Sequence, residues 1–134
     1  MEKSLFKACE EGDLQKVISL VETEKVDVEL IDCYGDTPLI IASREGHLDI
    51  VKYLVENVSA NIDFTNRYKH YSLIIATWNG NRDIIKYLVE NGANIENKYG
   101  LLNDEEENEI REIIKDIENR RRMVKPCPRQ GNQR

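Results

Sequence analysis

The sequence is poor in the residue types that carry catalysis, metal binding and cross-linking. Its 134 residues include three cysteines, two histidines, three prolines, two phenylalanines and one tryptophan. Cys9, Cys33 and Cys127 are odd in number and form no C-x-x-C pair. That argues against a disulfide framework or a zinc site and fits a reducing compartment. Neither His47 nor His70 has a second imidazole or a cysteine at metal-ligand spacing. No glycine-rich phosphate loop and no nucleophile elbow occur. Carboxylates are plentiful, but none is paired in an apolar setting that would shift one for acid–base work. No enzymatic activity, metal or cofactor is therefore expected. Apolar runs are short, far below the roughly 20 residues a membrane span requires. Met1–Leu5 lacks the apolar core of a secretory signal. The expected location is the cytoplasm, with the nucleus as an alternative.

Charge is abundant and unevenly placed. Residues 1–119 hold all 25 acids and 13 basic residues, a net −12, whereas residues 120–134 hold six basic residues and no acid. An acidic body argues against nucleic acid as the partner of the main domain and leaves the tail as the one anion-seeking segment.

A 34-residue repeat organises the chain. Ala8-x-x-x-Gly12, Ala42-x-x-x-Gly46 and Ala76-x-x-x-Gly80 recur at that interval. Asp49–Asn57 returns as Asp83–Asn91 with eight of nine positions identical. Each copy predicts two short helices. In the second, Leu39–Ala42 is the apolar part of the first helix, and Ile50, Val51, Leu54 and Val55 form the stripe of the second. Thr37 suits the N-cap and Pro38 the first helical position, where its missing N–H costs nothing. Gly46 permits a tight turn, and Asn91-Gly92 ends a helix with a residue that tolerates positive φ. So short a helix pair cannot bury its apolar face alone, and stacking of copies yields an all-α solenoid.

These motifs resemble the ankyrin-repeat family. The marks are Gly35-Asp36-Thr37-Pro38-Leu39-Ile40-Ile41-Ala42, then Gly46-His47, then Ile50-Val51-x-x-Leu54-Val55, then Gly92-Ala93-Asn94-Ile95. The resemblance covers about residues 4–100. It implies L-shaped units of two antiparallel helices with loops projecting as hairpins at about 27–36, 61–70 and 94–100. It also implies a structural role for His47. Ile40 and Ile74 stand where the family has histidine, so the histidine's bond to the threonine is absent. In the third copy Lys69 replaces Gly35, and Tyr71-Ser72 replaces Thr37-Pro38. A non-glycine residue at positive φ costs about 1 kcal/mol, so that hairpin is expected to be bent, mobile or held by a partner.

The ends read as caps. The units fall at about 1–34, 35–68 and 69–101, within one domain of residues 1–122. The first copy is polar outside, as a terminal repeat must be. Ile113–Asn119 echoes Ile84–Glu90 at an offset of 29, so the fourth unit is shortened to one capping helix at about 104–121 with Ile110, Ile113, Ile114 and Ile117 inward. Asn103 and Glu106 have capping-box spacing, and the acids of Asp104–Glu107 complement the helix dipole. Residues 123–134 form a basic tail expected to be disordered. Arg120–Lys125 keeps nuclear import or phosphate binding open as an alternative.

A solenoid acts through its variable positions. By the resemblance, Cys33, Tyr34, Asp36, Arg44 and Glu45 face the groove in the second unit. Arg67, Tyr68, His70, Trp78 and Asn79 match them in the third, with Lys98 and Tyr99 on the last tip and Glu10 and Glu11 in the first unit. Tyr, Trp and Arg dominate binding hot spots. The expected function is a monomeric protein–protein interaction module, an adaptor or inhibitor. The alternatives are a regulator of an enzyme such as a kinase, self-assembly, and anionic-surface binding through the tail. Structural cover is the competing role for Trp78, and solvated turns the competing role for the tyrosines. The positive spot at Arg67, Lys69 and His70 favours a partner segment with an acid beside an apolar anchor.

Overall fold

Two helices per unit form where the 34-residue pattern places them. α1 (Glu2–Glu11) and α2 (Leu14–Ile18, continued by a π-helical turn over Ser19–Thr23) make the first unit. α3 (Pro38–Glu45) and α4 (Leu48–Glu56) make the second, and α5 (Ser72–Trp78) and α6 (Arg82–Glu90) the third. α7 (Asp104–Val124) closes the stack and runs past residue 121. This computed structural model describes residues 2–95 and 101–124, with side chains for 4–95 and 101–120. No strand occurs among the described residues, so the projecting loops are tight turns rather than β-ribbons.

α1, α3 and α5 pack in an inner row, and α2, α4 and α6 pack in a row behind. Ala8, Ala42 and Ala76 are fully buried between the inner helices, where a larger side chain would hold them apart. Ile50, Val51 and Leu54 of α4 and Ile84, Ile85 and Leu88 of α6 fill the core behind them. Each such side chain contributes about 1.5–3 kcal/mol on burial. α7 packs on α5 and α6 through buried Ile110, Ile113 and Ile117, with Ile114 partly covered.

The local signals operate as their chemistry requires. Thr37 Oγ1 accepts from Ile40 N at 3.3 Å, with Pro38 in the first turn. Asn103 and Glu106 cap α7 reciprocally: Glu106 N donates to Asn103 Oδ1 at 2.8 Å and Asn103 N to Glu106 Oε1 at 2.9 Å. Beyond α2 and α4 the chain turns through Lys25 (φ 60°) and Ser59 (φ 53°), where Gly92 (φ 89°) stands beyond α6. Val26 N donates to Leu20 O and Ala60 N to Leu54 O, closing both helix ends.

Polar bonds between units repeat with the same spacing. Tyr53 donates to Glu22 at 2.8 Å and Tyr87 to Glu56 at 2.6 Å. Burial, reinforced by the Glu22 acceptor, pushes the Tyr53 phenol up to about 12, and Tyr87 shifts the same way. Glu29 Oε2 accepts from Asn61 N at 2.9 Å, and Asp63 Oδ1 from Asn94 N at 2.8 Å.

The first residue before each rear helix shows how position sets role. Asp13 caps its own helix by accepting from Lys16 N at 3.1 Å. His47 and Asn81 occupy the same place and reach back instead. His47 Nε2 donates to Glu10 O at 2.9 Å, and Asn81 Nδ2 to Ser43 O at 3.1 Å. Gly12 makes room for the first of these: a Cβ there would lie 2.6 Å from the His47 ring. Gly80, also at positive φ, faces open space. Gly80→Ala is therefore expected to cost only the backbone penalty of about 1 kcal/mol. Gly12→Ala should cost about 2–4 kcal/mol by adding a packing clash. Chemical denaturation of the two variants checks this, and equal losses would refute the His47 contact.

Candidate functional site

Two five-residue loops build the site. In Asp32–Asp36, Asp32 Oδ1 accepts from Tyr34 N and Asp36 N, each at 2.9 Å. Asp32 N donates to Asp36 O and Gly35 N to Asp32 O. In Asn66–His70, Asn66 Oδ1 accepts from Tyr68 N at 2.8 Å and His70 N at 3.1 Å. Asn66 N donates to His70 O and Lys69 N to Asn66 O. Lys69 adopts φ 67° and Gly35 φ 80°, so the two turns have the same shape. The expectation that the hairpin of the third copy is bent is thus corrected. The strain at Lys69 is offset by the two N–H groups that Asn66 satisfies, each worth about 1 kcal/mol. Arg67 N also donates to Tyr34 O at 3.3 Å, joining one loop to the next.

Asp36 lies beneath the loops rather than on a contact surface. It is 1% exposed. Its Oδ2 accepts from Arg44 Nη2 and its Oδ1 from Asn66 Nδ2 at 2.7 Å. This corrects the placement of Asp36 as a groove contact: a buried carboxylate needs every partner it has, and here they fix the loops. Arg44, half exposed, is committed to the same carboxylate. Asn66 was not among the expected residues. Its only sequence signal is that it stands 34 residues after Asp32, before an identically placed tyrosine.

Above this floor an open depression of about 310 Å³ is lined by Tyr34, Asp36, Arg44, Asn66, Tyr68 and His70. Tyr34 and Tyr68 are 57% and 58% exposed, and Trp78 is 40% exposed. The rings form a connected run. Tyr68 and His70 centroids lie 5.7 Å apart, and His70 meets Trp78 edge-on at 4.6 Å. Trp78 Nε1 donates to Leu101 O at 3.2 Å, so the ring is tethered to the start of the capping segment while the side chain stays partly exposed. Asn79, just beyond, spends its amide on Arg44 O and Ile75 O. Glu45 and Arg67 are exposed. Cys33 is exposed on the tip, while burial pushes the Cys9 thiol up to about 12 and keeps it un-ionised. Tyr99, Lys98 and residues 125–134 of the basic tail lie outside the described residues.

A family model described as ankyrin repeats (3 copies) matches residues 5–99. This chain belongs to the ankyrin-repeat family. No curated protein matches it. Among solved structures it is similar to a chain of the complex between the predatory endopeptidase Bd0816 from Bdellovibrio bacteriovorus and the immunity protein Bd3460. The identity is 39% and the TM-score 0.66, over 69% of this chain and 48% of that one. The ankyrin-repeat chain thus spans about half the length of that relative. The complex shows a similar chain within a protein–protein assembly.

Two outcomes follow for this ankyrin-repeat protein. Asp36→Ala strands Asn66 and Arg44 together and is expected to cost about 2–4 kcal/mol of stability, measured by urea unfolding. Desolvation, with Arg44 adding to it and Asp36 opposing it, holds His70 below its ordinary value. The folded state therefore favours the neutral ring. That stability is present above the unfolded value of about 6.5 and is lost as pH falls through it towards the lower folded value. Melting temperatures at pH 7.5 and 5.5 should differ more for the parent than for His70→Phe, which keeps the ring contacts.

Proposed function

We propose that this protein binds a partner protein through the depression between the second and third units and performs no reaction there. The observation that carries the reading is the set of exposed rings: Tyr34 and Tyr68 on loops fixed by the buried Asp36 network, and Trp78 at the end of α5 tethered to Leu101 O. Aromatic rings on a rigid support give large contact area at low entropic cost, which is what a binding hot spot requires. Arg44 and Asn79 serve by shaping the support, and Glu45 and Arg67 by supplying rim charge.

Of the adaptor and inhibitor roles, the inhibitor is the better supported. The similar chain belongs to a complex between a predatory endopeptidase and an immunity protein, so a similar fold occurs in an assembly with an enzyme. We place the protein in the cytoplasm as a monomer, in keeping with the free thiols of Cys9 and Cys33.

Tyr68→Ala combined with Trp78→Ala is expected to weaken partner binding by at least about 30-fold, the effect of losing one hot spot. Titration calorimetry measures it. Because Trp78 also bonds to Leu101, the pair Tyr34→Ala and Tyr68→Ala serves as a second variant that leaves that bond intact. Unchanged affinity in both variants would remove the depression as the binding site.

A further inference from the structure

The exposed charges along the inner face change sign from one end to the other. Glu10, Arg44 and Trp78 stand 34 residues apart in the last turns of α1, α3 and α5, and Glu11, Glu45 and Asn79 follow them one residue later. In the first unit both positions are exposed carboxylates. In the second, Arg44 is neutralised by Asp36, and Glu45 leaves the position acidic. In the third neither position is charged, and the neighbouring tip carries exposed Arg67 and Lys69 where the preceding tip has Cys33 and Gly35. At these matched positions the first unit is thus negative and the third positive, with the aromatic run at the positive end and the acids of the first turn of α7 lying beyond it.

Inner helices pack about 8–10 Å apart, so Glu10 and Trp78, at matching places on α1 and α5, are separated by roughly 16–20 Å. An extended chain rising about 3.3 Å per residue crosses that distance in about five or six residues.

We infer that the occupant is an extended partner segment of opposed charge. Its carboxylate lies on Arg67 beside an aromatic or aliphatic side chain seated on the Tyr68, His70 and Trp78 rings. A lysine or arginine about five or six residues away faces Glu10 and Glu11. The inference rests on the binding site proposed above and adds the chemistry and spacing of what it takes. Like charges meeting across either pole would be repelled, so the pattern also selects against reversed segments.

The test is selection of a displayed random 12-residue peptide library on the full chain. Enriched peptides should carry Asp or Glu within two residues of an apolar side chain and a basic residue five or six positions away. Arg67→Glu keeps the Cγ that packs near Gly35 and should weaken those peptides about tenfold or more, while selection on that variant should replace the acid by a neutral or basic residue. Glu10→Lys with Glu11→Lys should replace the basic residue by an acid, and it leaves the Glu10 carbonyl free to hold His47. No enrichment, or enriched peptides indifferent to Arg67→Glu, would overturn the charge assignment. If peptides lose binding to Tyr68→Ala with Trp78→Ala yet ignore the charge variants, the site stands and the polarity fails. If they bind that double variant unchanged, the site itself is wrong.

Discussion

Asp36 is closed off from water, and its backbone and carboxylate together tie three segments to one another. Its backbone N–H is held by Asp32, its side chain by Arg44 of α3 and by Asn66 of the following loop. A buried charge tolerates no vacant partner, so the inner helix and the two loops can occupy only the arrangement that satisfies it. Everything proposed for the surface depends on that constraint. Tyr34 and Tyr68 project from loops that would otherwise sample many conformations, and an aromatic side chain on a disordered loop loses much of its binding free energy to ordering.

The same economy runs through the stack. A residue at one position is reused according to what lies beside it, as Asp13, His47 and Asn81 show. The residue at this place caps the rear helix of the first unit, and in the later two units it clamps backward. At the far end α7 replaces a complete unit with one long helix, burying three isoleucines and presenting acids outward in its first turn. Stability in such a fold is the sum of neighbour contacts, so each clamp acts on one interface and leaves the others intact.

Much of the architecture was legible because its signals are local. Thr37-Pro38, Asn103 with Glu106 and the isoleucine stripes act over three or four residues, the range within which a helix communicates. The floor of the site was not legible. Asp36 and Asn66 are 30 residues apart, and Tyr53 and Glu22 are 31 apart; they meet only because units stack. Their trace in the sequence is recurrence of polar residues at 34: Glu22 with Glu56, Tyr53 with Tyr87, Asp32 with Asn66. Lys69 misled in the opposite direction, because a single-residue rule forecast strain and the bonds from Tyr68 N and His70 N to the Asn66 side chain offset it.

The protein's single tryptophan sits in the proposed contact and reports on it without labelling. Its emission, followed as a partner protein is added, is the most direct measurement of the account. A partly exposed Trp78 ring covered by a partner should shift to shorter wavelength and become protected from an aqueous quencher. Saturable binding with unaltered emission and quenching would show that the partner sits elsewhere.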